Sequence, residues 1–501
     1  MFALDLTSSA LLLLFLSLTY LTLHTIHTLY LHPLSKYPGP LHWHLFHLPS
    51  LLSMTRGHLP HTIRTLHTQH GPIIRTAPTE LSFTSPLAWP DIYTHSPLFP
   101  RPPELKDQPP GKTAPNLIAC TESQHTRLRK ILSPGFSTKA VMLQEGVVQG
   151  YITLLMNKLD QKMEKGGGNG NGKVDVDLVE WVNYLSFDII GDVTWGKSFG
   201  CLDGLRYDSW VQTVRQFKAA MVVGVLKYYP LLCRVVMAVT PDEALRGVME
   251  MWRVTEQRVR ERVENEGGSG SGSGRMDLVG TMMKGMMSRE EMEVNAMLIV
   301  AAGSESITTV VTGTVNYLLR EPEKMRRLVE GLRGRFEREE EVTGSAVKGL
   351  PYLDAVLNEG MRLCPTIPDG MRRLVPEGGA VIAGEFVPGG TTVSVCQWAS
   401  YRSESNFCDP DEFAPERWLG EEGGKRFEGD VKSAFNPFSL GAHNCPGQNL
   451  AWLELRLILA RLLWRYDLSI PPGVELPRWE EQGIWWFWDK KPTVVRFSRF
   501  Q

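Results

Sequence analysis

Cysteine is sparse in these 501 residues. The seven are scattered, none closer than Cys396 and Cys408, and no CxxC occurs. Zinc ribbons and thioredoxin-type redox sites are therefore unsupported. An odd, dispersed set is also a poor disulfide scaffold, and reduced thiols in a reducing compartment are expected. Excess charge of either sign is missing too. Basic residues number 53 and acidic residues 55, for a net charge of −2, which excludes nucleic-acid binding driven by bulk charge. There is no GxGxxG and no P-loop, so no nucleotide site of the chain's own is evident. No internal repeat is visible. What remains is ordinary globular composition, 43% apolar and 22% charged, at a length that allows a large core.

One long apolar run stands out, Ala10 to Leu31, without a formal charge. As a helix it spans roughly 33 Å, enough for a bilayer's hydrocarbon core. Asp5 and no cation precede it, which is wrong for a cleaved signal peptide. Lys36, Arg56 and Arg64 follow it, and a cationic C-terminal flank keeps the bulk of the chain cytosolic. An uncleaved anchor over 1–32 is the reading; an amphipathic segment lying on the membrane is the alternative. Pro33, Pro38 and Pro40 then make a stiff hinge. Eleven of the 13 histidines precede residue 96, at spacings that match no metal motif.

Apolar runs at Ile73–Ile74 and Leu81–Phe83 predict a small hairpin-like sheet. From about residue 123 the period is mostly helical. Glycine-rich stretches at 166–172 and 267–274 read as flexible surface inserts within one large domain, 33–501. A long helix is predicted from about Glu293 to Arg320, stopped by Pro322. Its middle carries Ala301, Ala302, Gly303 and Ser304, small enough to let something pack flat against the backbone. Glu305 stands there among apolar neighbours; alone, it reads as a solvated face of a core helix.

Near the C-terminus, Cys445 sits between Gly441 and Gly447, just before an apolar helix. Free N–H groups and the positive end of a helix dipole stabilise a thiolate. Such a sulfur is a metal ligand, or a nucleophile with His443 as its base, or a buried structural thiol. These residues alone leave all three open.

The segment FSLGAHNCPG is close to FxxGxRxCxG, the haem-ligand loop of the cytochrome P450 family. Glu359 and Arg362 form ExxR; an i, i+3 surface ion pair is their plain reading. PERW supplies Arg417. Ala302 to Ser306 resembles the family's AGx(D/E)T oxygen-binding motif, and HTRLR (His125 to Arg129) resembles the fungal form of its WxxxR helix. All five lie in the family's order and spacing over nearly the whole chain. The anchor and PGP hinge resemble the microsomal class. HPLSKYPGP, YRSESNFCDPDEFAPERW and NLAWLELRLILARLLW are similar to fungal secondary-metabolism members, including the trichothecene C-15 hydroxylase type.

The resemblance implies a mainly α (α+β) fold, with a small β-rich N-terminal part, a large helical domain and an N-terminal transmembrane helix. It implies haem b, with Cys445 as the axial thiolate, an arrangement that pushes electron density to favour O–O cleavage. Phe438 would shield the sulfur, and Gly441 and Gly447 would shape its loop. Glu359, Arg362 and Arg417 would form a buried structural network. His125, Arg129, Arg373 and His443 would face the haem propionates. His443 stands where the family usually has Arg, which implies a weaker and pH-sensitive contact. Glu305 and Ser306 would be the acid–alcohol pair that delivers protons. Ser306 replaces the usual Thr, and a less fixed rotamer predicts some uncoupling to peroxide. Thr308 points about 200° away.

Electrons would come from an NADPH–cytochrome reductase, with cytochrome b5 as a further donor. Arg127, Lys130 and Lys139 are candidates for its docking face, or ordinary solvated charges. The membrane, dioxygen and a small apolar substrate are the other implied partners, with no nucleic acid; the endoplasmic reticulum membrane is the implied location. Leu117, Ile118, Phe217, Met221, Ile299, Ile367, Met371, Trp485, Trp486 and Phe487 would line the substrate pocket, with Asp369 as a polar handle or a solvated side chain. The expected activity is monooxygenation: hydroxylation or epoxidation of a terpenoid, polyketide or alkaloid. A haem-thiolate isomerase or ring-coupling oxidase, a non-catalytic haem protein, and a cysteine hydrolase using Cys445 and His443 are the alternatives.

Overall fold

Leucine-rich sequence without charge forms the predicted N-terminal helix, Leu6–Ile26, in the computed structural model of the chain. The structure describes residues 6–103, 111–165, 172–208, 242–268 and 277–500, with positions 210, 211, 229, 231, 234, 235 and 238. Most of the two glycine-rich inserts, Phe217 and Met221 lie outside the described residues. The apolar stretch Ser9–Leu31 has a mean hydropathy of 1.7, and it is exposed over most of its length, with Thr28 buried near its end. It is long and apolar enough to cross a membrane.

The proline segment behind it is docked on the globular body rather than free. Leu34 and Tyr37 are buried. The Tyr37 hydroxyl donates to Phe386 O at 3.0 Å, and the Arg75 amide donates to Pro38 O at 2.8 Å. Buried Arg75 also donates to Thr28 O at 3.1 Å, satisfying an orphan carbonyl at the end of the apolar run.

Ile73–Ala77 and Glu80–Phe83 form the expected hairpin. It is part of a four-stranded sheet: Glu80–Phe83 runs parallel to Thr392–Val395, which pairs with Arg373–Leu374. A second sheet joins Lys173–Asp177, Val494–Arg499 and Tyr466–Ser469. Ile484–Trp485 and Phe487–Trp488 form a short hairpin near the C-terminus.

Helices make up the rest of the body, around the long helix Arg289–Arg320. It begins one turn before the sequence reading. Ser288 and Glu291 form a reciprocal capping box that the apolar period did not reveal. Leu178–Trp195 lies along this central helix, and a Cβ on Gly303 would reach Ile190 Cδ1 at 2.8 Å. Further on, a Cβ on Gly313 would collide with the Cys364 sulfur, and one on Gly360 with the Thr314 hydroxyl. Missing side chains at this crossing let Pro351–Leu363 press against the central helix. The helix Gln448–Arg465 packs on the central helix from another side.

Candidate functional site

The ExxR pair is buried, not a surface ion pair. Glu359, Arg362 and Arg417 have fully buried side chains. Glu359 Oε1 accepts from Arg362 Nη2 (2.7 Å), Arg417 Nε (3.0 Å) and the Ala414 amide (2.8 Å). Its Oε2 accepts from Arg362 Nε (2.8 Å) and Trp418 Nε1 (3.0 Å). Arg362 Nη1 donates to the Tyr401 and Pro410 carbonyls and Nη2 to that of Glu412, while Arg417 also pairs with Asp430. One carboxylate thus ties a helix to the irregular segment that leads into the cysteine loop.

That loop is preformed. The Cys445 amide donates to Phe438 O at 2.8 Å, and the Phe438 ring packs near Trp452. Gly441 has φ +71°, and any Cβ there would strike the Tyr93 carbonyl. Gly447 caps Gln448–Arg465, 3.9 Å from the sulfur as measured from an added Cβ. Burial pushes the Cys445 thiol up, while the Gly447 amide and Arg129 oppose the shift. A metal at Sγ would reverse the balance, because coordination deprotonates a thiol outright.

A cluster of cations and imidazoles flanks the loop. His443 and His125 stack with ring centroids 3.8 Å apart. His443 Nδ1 accepts from Arg101 Nη2 at 3.1 Å, and its Nε2–H donates to Glu122 Oε2 at 2.8 Å. One accepting and one donating nitrogen describe a neutral ring. Burial pushes His443 down against the Glu122 hydrogen bond, and burial with nearby cations takes His125 to about 4. Burial raises the Glu122 carboxyl, but His443, His125 and Arg101 together bring it below its usual value. Fixed positive charge at neutral pH therefore comes from Arg101, Arg129 and Arg373. Arg129 donates to Asn444 O (2.7 Å) and Oδ1 (2.6 Å), so it also clamps the cysteine loop. Arg373 is buried, over the Tyr93 ring. Arg101 and Glu122 escaped sequence reasoning; Arg101 reaches His443 across 342 positions, with no local motif to announce it.

On the central helix the picture is mixed. Ala302 is exposed and Ile299, Gly303 and Ser306 are half-exposed, whereas Ser304, Glu305, Ile307 and Thr308 are buried. The room left by Gly303 is partly taken by Ile190; the open stripe is Ile299, Ala302 and Ser306. The Ser306 hydroxyl donates to Ala302 O at 2.7 Å. Thr308 faces the neighbouring helix, its hydroxyl 3.0 Å from Ser186 Oγ, which leaves Ser306 as the alcohol on the open side. Glu305 is not a solvated face. Its carboxylate lies 2.6 Å from Lys490 Nζ, with both side chains buried.

Leu117 and Ile118 are held by Arg101 through their carbonyls, and the Leu117 amide donates to Asn295 Oδ1 at 3.0 Å. Two expected pocket residues point elsewhere. Trp485 donates to Thr55 O at 3.0 Å and covers Gly57, against the N-terminal helices. Asp369 is half-buried beside the sheet: it lies 3.5 Å from Arg372, which in turn approaches Glu80 at 3.8 Å. Burial raises its carboxyl. Of the expected docking cations, Arg127 pairs with Glu291, while Lys130 and Lys139 are exposed.

The donor set suits a flat, dianionic metal cofactor. One half-exposed cysteine lies at a helix N-terminus. Three arginines and two histidines flank it, and the buried Arg101 Nε has no hydrogen-bond partner among the described residues. An uncovered small-residue stripe lies on the central helix.

The family described as Cytochrome P450 matches residues 33–496. The chain is 39% identical over 480 residues to an averantin hydroxylase of Dothistroma septosporum, covering 95% of this chain and 89% of that protein. It is 38% identical over 485 residues to cytochrome P450 monooxygenase stcF of Emericella nidulans, covering 95% and 97%. It is 36% identical over 500 residues to an averantin hydroxylase of Aspergillus parasiticus, covering 96% of each chain.

Proposed function

The chain belongs to the cytochrome P450 family, and from that premise we propose how its own residues carry the monooxygenation. It is a haem-thiolate monooxygenase of secondary metabolism. When bound, the haem supplies the redox chemistry: one atom of dioxygen enters the substrate and the other leaves as water, at the cost of two electrons and two protons.

In our reading the Cys445 thiolate would hold the haem iron, its loop fixed by Phe438 O and shaped by Gly441 and Gly447. Arg101, Arg129 and Arg373 would balance the propionates electrostatically, with neutral His125 as a hydrogen-bond partner and His443 behind them, its two nitrogens engaged by Arg101 and Glu122. His443 thus works as an oriented dipole between Arg101 and Glu122, not as a substitute charge.

Protons are assigned to Glu305 and Ser306. The Ser306 hydroxyl has one hydrogen, which it gives to Ala302 O. Donation toward the open stripe requires a χ1 rotation, which serine makes more freely than threonine. The substrate rests on Ile299 and Ala302 on one side and on Leu117 and Ile118 on the other, an apolar wall with few polar handles. We assign residues 1–32 to a single-pass anchor in the endoplasmic reticulum membrane and 33–501 to a cytosolic haem domain. Electrons come from an NADPH–cytochrome reductase, with cytochrome b5 as an auxiliary donor.

The half-exposed Cys445 in a preformed loop, edged by three buried or half-buried arginines, carries this reading. The test is incubation with reductase, NADPH, isotopically labelled dioxygen and a set of apolar metabolites headed by averantin, the compound named for two relatives. The expected product gains one labelled oxygen atom. NADPH-dependent product without the label would overturn it.

A further inference from the structure

The acid assigned to proton delivery is restrained by a residue nearly 200 positions away. Glu305 Oε2 lies 2.6 Å from Lys490 Nζ, and the two side chains are 9% and 4% exposed. The same ammonium lies 3.4 Å from Thr309 Oγ1, one turn along. Thr309 in turn donates to the Glu305 carbonyl at 2.8 Å. Acid, alcohol and amine form a closed set beside the open stripe.

The backbone aims Lys490. It follows the Ile484–Trp488 hairpin, and its neighbours are pinned on both sides. The Asp489 amide donates to Gly483 O at 2.8 Å. The Lys491 amide donates to the buried Gln482 Oε1 at 2.7 Å, and the Thr493 amide to Asp177 at 2.9 Å. A flexible surface lysine would lose considerable entropy in being held this way. Here the strap holds the backbone in place, and only the side chain remains to be ordered.

A buried ion pair is a weak source of stability, because desolvation offsets most of the attraction. Its effect is chiefly on orientation. Without Lys490, the Glu305 carboxylate would be a buried charge with no counter-ion among the described residues, and such groups take up a proton.

We propose that Lys490 is a positioning residue for the monooxygenation: it holds Glu305 as one half of an ion pair, in the orientation from which Ser306 is served. This rests on the assignment of Glu305 and Ser306 to proton delivery. It adds to that assignment a residue on the strap that follows the C-terminal hairpin.

The test uses the full-length, haem-loaded enzyme with reductase and a turned-over substrate, and reads product and peroxide per NADPH consumed. Glu305→Gln should lower product formation by about 10²-fold, the scale of a lost general acid–base group that accepts and passes on protons. Lys490→Met should lower it at least about tenfold with more peroxide, while Lys490→Arg should restore most of it. In the double variant, Lys490→Met should add no more than about a twofold change to Glu305→Gln, since a residue acting only through Glu305 has nothing left to act on. Should Lys490→Met fail to fold, Lys490→Gln serves in its place. A second readout needs no turnover. Isotope-edited infrared spectra of the unloaded protein should show the Glu305 carboxylate band replaced by a carboxylic acid band in Lys490→Met, and retained in Lys490→Arg.

The outcomes separate cleanly. If Glu305→Gln leaves product per NADPH unchanged, the proton-delivery assignment is wrong. If Glu305→Gln lowers it but Lys490→Met does not, or if Lys490→Met lowers it again in the Glu305→Gln background, that assignment stands and the Lys490 proposal falls. An unchanged carboxylate band in Lys490→Met also overturns the proposal.

Discussion

Replacing Glu359 by Gln removes one charge from the best-connected point of the structure without changing its size. The carboxylate receives five hydrogen bonds, three on Oε1 and two on Oε2. The least costly amide orientation puts its nitrogen at Oε2. Three acceptors' worth of bonding survives, while Arg362 Nε and Trp418 Nε1 are left facing another donor. Arg417 keeps Asp430 as a counter-ion, but Arg362 keeps only carbonyls. Breaking a fully buried pair from one side costs about 3–5 kcal/mol. For some 470 folded residues the unfolding entropy is roughly 1 kcal/mol per degree, so the melting temperature should fall by about 3–5 °C. Haem retention should fall with it, because the same carboxylate fixes the segment running from Ala414 toward the Cys445 loop. Thermal unfolding followed by circular dichroism, alongside haem per protein, measures both. A melting temperature within about a degree of wild type with full haem occupancy would refute the reasoning.

Two further substitutions probe other parts of the account. Burial pushes the Glu454 carboxyl up to about 8, with no hydrogen-bond partner among the described residues. Folded Glu454 therefore keeps a proton that the unfolded chain has shed. Its stability contribution is full below about pH 4.5 and is lost, at about 1.4 kcal/mol per pH unit, as pH rises through about 8. Glu454→Gln should match wild type in acid, gain on it from there to about pH 8 and then level off; a pH-independent difference in melting temperature contradicts this. Arg101→Met removes charge-assisted donors worth about 1.5–3 kcal/mol to the Leu117 and Ile118 carbonyls and His443. Haem transfer to an apoglobin acceptor should speed up by about tenfold or more, with Arg101→Lys intermediate, and an unchanged transfer rate would contradict the assignment.

Local chemistry was legible in the sequence, and distant contact was not. The Glu359–Arg362 spacing, the PERW turn and the glycines around Cys445 each act within a few residues, so their motifs carry the geometry. The hairpin at residues 73–83 and the apolar N-terminal helix follow from apolar runs in the same way. Lys490, Glu122 and Arg101 reach their partners across 185, 321 and 342 positions, and no period or spacing encodes that. Asp369 illustrates the cost. Its sequence context suggested a pocket, yet an arginine three residues on and a strand from the other end of the chain turn it toward the sheet. Glu305 is the reverse case: its helix position was readable, but its burial depended on a lysine in the C-terminal strap.

Ligation by Cys445 is the claim on which the remaining assignments depend. It is tested most directly by the spectrum of the reduced, carbon-monoxide-treated protein beside that of Cys445→Ser. The account predicts the thiolate-type Soret band in the wild type and its loss in the variant. The same band in both proteins, or protein that takes up no haem at all, would contradict it.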